Sequence, residues 1–199
     1  MERNVADGVL RRAVLTVALL NLAYGLFECV VALRIGSVSL FADSVDFFED
    51  TSVNLLIFLA LAWSVQARAR LGMVLAGVLL VPAAAAIWTG IAKFLNPSPP
   101  DPVSLSLTGL GALAVNLSCA FILAKFREHR GSLTRAAFLS ARNDAYANLA
   151  IIAAGLVTAY LWPSIWPDLL VGFGVALLNA DAAREVWEAA RAEQKTAES

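Results

Sequence analysis

Six runs of about twenty apolar residues follow one another along this chain, and no other feature constrains its fold as tightly. Lipid offers no hydrogen bonds to a bare backbone, so a chain crosses it as helix or closed barrel. A spanning helix needs about 20 mostly apolar residues. The runs cover residues 12–34, 38–64, 71–95, 103–126, 134–161 and 167–181. The stretch "NPSPPDP" ends the third run and "WPSIWP" the fifth, because proline cannot continue a helix. The chain is 59% hydrophobic and 16% charged, against about a quarter charged in a soluble domain. The expected fold is therefore all-α, a polytopic membrane protein of six transmembrane helices. One membrane domain spans 1–181. The charged, Ala-rich tail 182–199 is a short amphipathic helix, too small for a folded domain.

Basic residues orient the spans. Arg3, Arg11, Arg12, Arg68, Arg70, Lys125, Arg127, Arg130, Arg135, Arg184, Arg191 and Lys195 fall on one side. The opposite side holds only Arg34 and Lys93. Both termini are expected in the cytoplasm, with Trp162 and Trp166 at the outer interface. The first run is long enough to span and no small-residue cleavage site follows it, so it does not read as a signal peptide. Cys29 and Cys119 lie in different runs with no CxxC spacing and read as small buried residues, without a ligand or disulfide role. A formal net charge of -1 argues against nucleic acid as a partner.

The chain also echoes itself. "NLAYGLFECVVALRIGSVS" from Asn21 parallels "NLSCAFILAKFREHRGSLT" from Asn116, and "EDTSVNLLIFLA" parallels "NDAYANLAIIAA". This pairs Asp50 with Asp144 and Asn54 with Asn148. The first hairpin turns outside and the second inside, so the copies would be related by inversion, as in many transporters.

The second run is interrupted by "FADSVDFFED", with Asp43, Asp46, Glu49 and Asp50. Asp43, Asp46 and Asp50 are spaced i, i+3, i+7 and share a helix face, with Glu49 beside it. Asp46 and Asp50 would lie roughly 12–18 Å from the outer end of their helix, and Asp144 roughly 15 Å from the inner end of the fifth. A charge at that depth costs at least about 2.5 kcal/mol. No Lys or Arg lies at comparable depth in enough number to neutralise them; Arg142 is the nearest candidate. A divalent cation would remove the repulsion, because carboxylate oxygens are good ligands for one. Asp43 lies nearer the outer interface and suits a vestibule better than a central ligand position. Glu28, alone in the first run, reads equally as a proton carrier or an interhelical hydrogen bond. Asn21, Asn54, Asn116 and Asn148 read as interhelical glue.

On these residues the sequence resembles the cation diffusion facilitator family across roughly 10–181. The resemblance implies a six-span domain, usually homodimeric, that exports divalent metals in exchange for protons. The family's second-span motif, an acidic residue or His, three residues, then Asp, is similar to "GSVSLFADSVDFFED" and falls on Asp46 and Asp50. The fifth-span motif, His, three residues, then Asp, is similar to "SARNDAYANLAIIAAG" and falls on Ser140 and Asp144. Ser140 stands where His is common, so the fourth ligand is a weak hydroxyl, water, Asn143 or a backbone carbonyl. The family's C-terminal cytoplasmic domain has no counterpart in the tail, and only His129 lies in the loop where a His-rich segment could occur.

The implied activity is secondary transport at a bacterial inner membrane, with the divalent metal and protons as substrates and no resident cofactor. Oxygen donors favour Mn²⁺ or Mg²⁺ by hardness, while the resemblance pulls toward Zn²⁺, Fe²⁺, Co²⁺ or Cd²⁺. A non-transporting membrane subunit or metal sensor is the alternative. An enzyme is not expected: there is no HExxH, no P-loop, and no Ser–His pair that could meet within the membrane.

Overall fold

The computed structural model describes residues 2–60, 84, 87–126 and 132–178. The described chain is helical with no strand: α1 Glu2–Ile35, α2 Val38–Ala60, α4 Pro102–Ala124 and α5 Ser132–Tyr160, together with α3 at 87–95 and α6 Trp166–Leu178. Gly8–Ile35 and Pro102–Ala124 are long and apolar enough to cross a membrane, and Trp166–Leu178 is a shorter apolar helix. The expected residues 61–64 of the second run, most of 71–86, His129 and the tail 182–199 lie outside the described residues.

Helix α1 begins ten residues before its apolar run, since 2–11 contains no proline and a membrane boundary is not a stop signal. It stops at Gly36, whose φ of 64° is a left-handed conformation open to glycine without a Cβ penalty. The Ser37 N–H then bonds back to the Ala32 carbonyl at 3.0 Å, the Schellman closure of a helix end. Helix α4 starts where the sequence signals it. Asp101 accepts from the Ser104 N–H at 2.7 Å, with proline at the first helical position.

The packing is apolar outside and polar inside. Leu19, Leu26, Phe27 and Leu33 of α1, Leu107 and Phe121 of α4, and Leu170 and Leu177 of α6 are exposed. Asn21, Glu28, Asp43, Ser44, Asn148 and Asp168 are fully buried. A helix bundle in water would reverse this arrangement. Helix α1 packs on α2, and α4 on α5; α1 then meets α4, and α2 meets α5. Gly25 lets α1 approach α2 closely, since a Cβ there would stand 2.8 Å from Phe47 Cβ.

Helix α2 is pinned at its first turn by a residue 130 positions away. The fully buried Asp168, at the start of α6, accepts from the Val38 N–H at 2.9 Å, the Ser39 N–H at 3.1 Å, and the Ser37 and Ser39 hydroxyls at 2.7 Å each. Lys93 of α3 completes the cluster with an ion pair to Asp168 at 3.1 Å and a hydrogen bond to the Gly36 carbonyl. Ser37 caps α2 from its own sequence by accepting the Leu40 N–H at 3.2 Å, and Asp168 adds, from another helix, acceptors for the Val38 and Ser39 N–H groups. Lys93, grouped by sequence with the free loop charges, is a buried structural cation. Trp162 and Trp166 are exposed at this same Gly36 end, and Phe94 meets Trp166 edge-on at 6.2 Å between ring centroids.

Asp168→Ala leaves the buried Lys93 ammonium without its counter-ion and the Val38 and Ser39 N–H groups without their acceptor. It should destabilise the fold by about 3–5 kcal/mol. Thermal unfolding of the detergent-solubilised protein measures this, and an unchanged midpoint would show that α2 is not held by this cap.

Candidate cation site

The interior of the four long helices is a polar layer between two apolar plugs. On the Gly36 side, Ala32, Leu40, Phe41, Leu105 and Ile151 pack together. At the far end Leu10, Val14, Val17, Ile57, Cys119, Leu123 and Ala141 form the second cluster. Between them lie the acids of α2, Glu28 and Asn21 of α1, Asn116 of α4, and Asp144 and Asn148 of α5.

The periodicity of α2 turns its acids inward. Asp43, Glu49 and Asp50 are buried and Asp46 is half-buried. Asp144 of α5 is half-buried, with Oδ2 buried and without a hydrogen-bond partner. Asp46 lies within electrostatic range of Asp144, Asp43, Glu49 and Asp50. Asp144 in turn lies within range of Asp50, Asp43 and Glu49. The charged groups acting on these two carboxylates are thus all acidic among the described residues. The three central acids of the sequence reading share one layer, although no three His, Cys, Asp or Glu side chains converge into a ready-made metal shell among the described residues.

The asparagines are wired to the acids. Asn21 donates to Asp50 Oδ2 at 3.3 Å, and the Cys119 thiol donates to Asn21 Oδ1 at 3.4 Å. Asn116 donates to Asn148 Oδ1 at 3.0 Å, and Asn148 donates to Asp43 Oδ2 at 2.6 Å. Three of the four expected amides therefore do bridge helices. Asn54 instead donates to the Asp50 carbonyl of its own helix at 2.8 Å, one turn back. Cys29 and Cys119 are free thiols.

Two expectations need correction, those for Asp43 and Asn143. Asp43 does not line an open vestibule; packing against α1 and α5 buries it fully. Arg142 is exposed and donates to Asn143 Oδ1 at 3.4 Å, so it does not neutralise the acids. Asn143 is exposed as well, one residue and about 100° around the helix from Asp144. The Ser140 side chain lies outside the described residues.

Among the described residues, six buried side-chain atoms have no hydrogen-bond partner: both Glu28 oxygens, Asp43 Oδ1, Asn54 Oδ1, Asn116 Oδ1 and Asp144 Oδ2. Every one is an oxygen acceptor. A buried acceptor without a donor costs about 1–3 kcal/mol, and a cation satisfies several at once.

The model of the cation efflux transmembrane domain matches residues 14–192 of the 199. The chain belongs to this family. It is an integral membrane protein, a cation transporter of the cation diffusion facilitator type. No curated protein matches the chain in a direct sequence comparison.

Asn148→Leu would strip the donor from Asp43 and the acceptor from Asn116. It should cost about 1–3 kcal/mol for each group left unsatisfied, whereas Arg142→Ala should stay within about 0.5 kcal/mol of the native protein. Thermal unfolding of the two variants in detergent checks both; equal stabilities would mean the amide chain carries no weight.

Proposed function

We propose that the protein exports a divalent metal from the cytoplasm in exchange for protons, as a secondary transporter. The observation that carries this reading is the layer between two apolar clusters in which Asp46 and Asp50 of α2 lie within electrostatic range of Asp144 of α5 among acidic neighbours. A divalent ion neutralises such a cluster, and the unpartnered oxygens are hard donors suited to it. Asp46, Asp50 and Asp144 bind the metal, with Ser140 as a weak fourth ligand one turn before Asp144. Glu49 adds negative charge at the edge of the site. Both termini lie in the cytoplasm, so the Gly36 end faces outward. The protein works in a bacterial inner membrane.

The two plugs make alternating access a matter of which one opens. Rocking of α2 and α5 against α1 and α4 parts one apolar cluster while the other stays closed. Facing outward, the carboxylates exchange the metal for protons. Facing the cytoplasm, where proton activity is lower, they release those protons and reload. Exchange of this kind is driven by the proton gradient and uses no ATP.

Metal flux into vesicles containing the purified protein tests this directly. Asp50→Ala and Asp144→Ala should abolish flux with the protein still inserted, and Asp46→Ala should be nearly as severe. Normal flux in both Asp50→Ala and Asp144→Ala would overturn the site, and a native protein that binds metal but moves none would be a sensor or subunit instead.

Ser140 sets the expected metal preference. A hydroxyl suits a hard ion better than a borderline-soft one, whereas imidazole is a preferred Zn²⁺ ligand. Ser140→His should therefore raise the Zn²⁺/Mn²⁺ flux ratio, and Ser140→Ala should cost far less than Asp144→Ala. An unchanged ratio in a folded, active Ser140→His protein would place Ser140 away from the ion.

A further inference from the structure

Glu28 and Asp43 form a pair that the transport site does not use. Both are fully buried. Their carboxyl groups lie within hydrogen-bond distance of each other. Neither Glu28 oxygen has a hydrogen-bond partner, and Asp43 lacks one at Oδ1. The Asn148 amide occupies Asp43 Oδ2, which fixes the other oxygen toward Glu28. Tyr24 lies within electrostatic range of both acids, but its hydroxyl proton is committed to the Thr108 carbonyl at 2.7 Å. The remaining charged group acting on Glu28 is Asp46, and Cys29 adds only a thiol. Lys93, the buried cation among the described residues, is held by Asp168 and the Gly36 carbonyl.

Beyond this mutual contact, the two Glu28 oxygens and Asp43 Oδ1 have no hydrogen-bond partner among the described residues. We propose that Glu28 and Asp43 form a second cation site that takes a hard divalent ion, on the Gly36 side of Asp50 and Asp144. Oxygen donors and a charge of two match Mn²⁺ or Mg²⁺, with water completing the shell. Glu28 can bind through both oxygens and Asp43 through Oδ1. By helix rise Asp43 lies roughly 10 Å along α2 from Asp50, so two ions can be held apart. Asp46, a ligand of the transport site, lies three residues from Asp43 on the side toward Asp50. In the export reading, on which this one role rests, the pair is the stop an ion reaches after leaving Asp50 and Asp144. Binding itself does not depend on that reading.

The test is Mn²⁺ stoichiometry on the full chain in detergent, read from the electron paramagnetic resonance of the free ion. The native protein should bind two Mn²⁺ per chain. Glu28→Gln and Asp43→Asn should each lose one and keep the other. The Asp50→Asn/Asp144→Asn double variant should show the converse loss, which separates failure of this site from failure of the transport site. Helical circular dichroism and elution volume verify folding, and Glu28→Asp, which keeps the charge, should recover binding if Glu28→Gln does not fold. Two ions still bound in folded Glu28→Gln and Asp43→Asn would overturn the proposal. So would a native protein that binds one ion, lost only on changing Asp50 and Asp144; Glu28 and Asp43 would then share a proton instead.

Discussion

A carboxylate carried into the middle of a helix bundle must be met there by a donor or a cation. Much of the interior of this protein follows from that requirement. Helix α2 brings four acids inward, and apolar clusters pack on either side of them. The surrounding helices answer with amides. Asn21 reaches Asp50, Asn148 reaches Asp43, and Asn116 orients Asn148. Each amide satisfies one oxygen and no more. The oxygens left over are all acceptors, so the interior as folded is short of positive charge rather than of hydrogen bonds in general. A transported cation is the partner this deficit suits.

The same constraint explains the second buried cluster. Asp168 is also fully buried, but it is surrounded by donors: two backbone N–H groups, two hydroxyls and the Lys93 ammonium. That acid is satisfied and structural. The contrast between Asp168 and Glu28, both fully buried, separates an acid that holds the fold from one open to a cation. It also means that the N-terminus of α2, and with it the depth of the acids, is set by contacts with α3 and α6.

Much of this was legible in the sequence where the signal is local. The i, i+3, i+7 spacing of Asp43, Asp46 and Asp50 required them to face one way, and the apolar flanks required that way to be inward. Gly36 and the "NPSPPDP" stretch ended helices because their chemistry acts within a few residues. Partners more distant in sequence were not legible. Asp168 and Lys93 are isolated charges at the two ends of their apolar runs, and their shared end of the bundle was the available clue to their pairing. Nothing in the periodicity shows that Asp168 caps a helix 130 residues away. The burial of Asp43 was missed for a related reason: depth along α2 placed it near the surface, but α1 and α5 cover it. Asn143 adjoins Asp144 in sequence, and a step of one residue turns it off the site.

The central claim is that the ion lies between α2 and α5, held by their acids. The most direct measurement is anomalous scattering from crystals of the protein grown with Mn²⁺. A peak is expected within about 2.5 Å of carboxylate oxygens from Asp50 and Asp144, inside the layer bounded by the two apolar clusters. Strong Mn²⁺ peaks confined to acids on the protein surface, with none between these two helices, would contradict it.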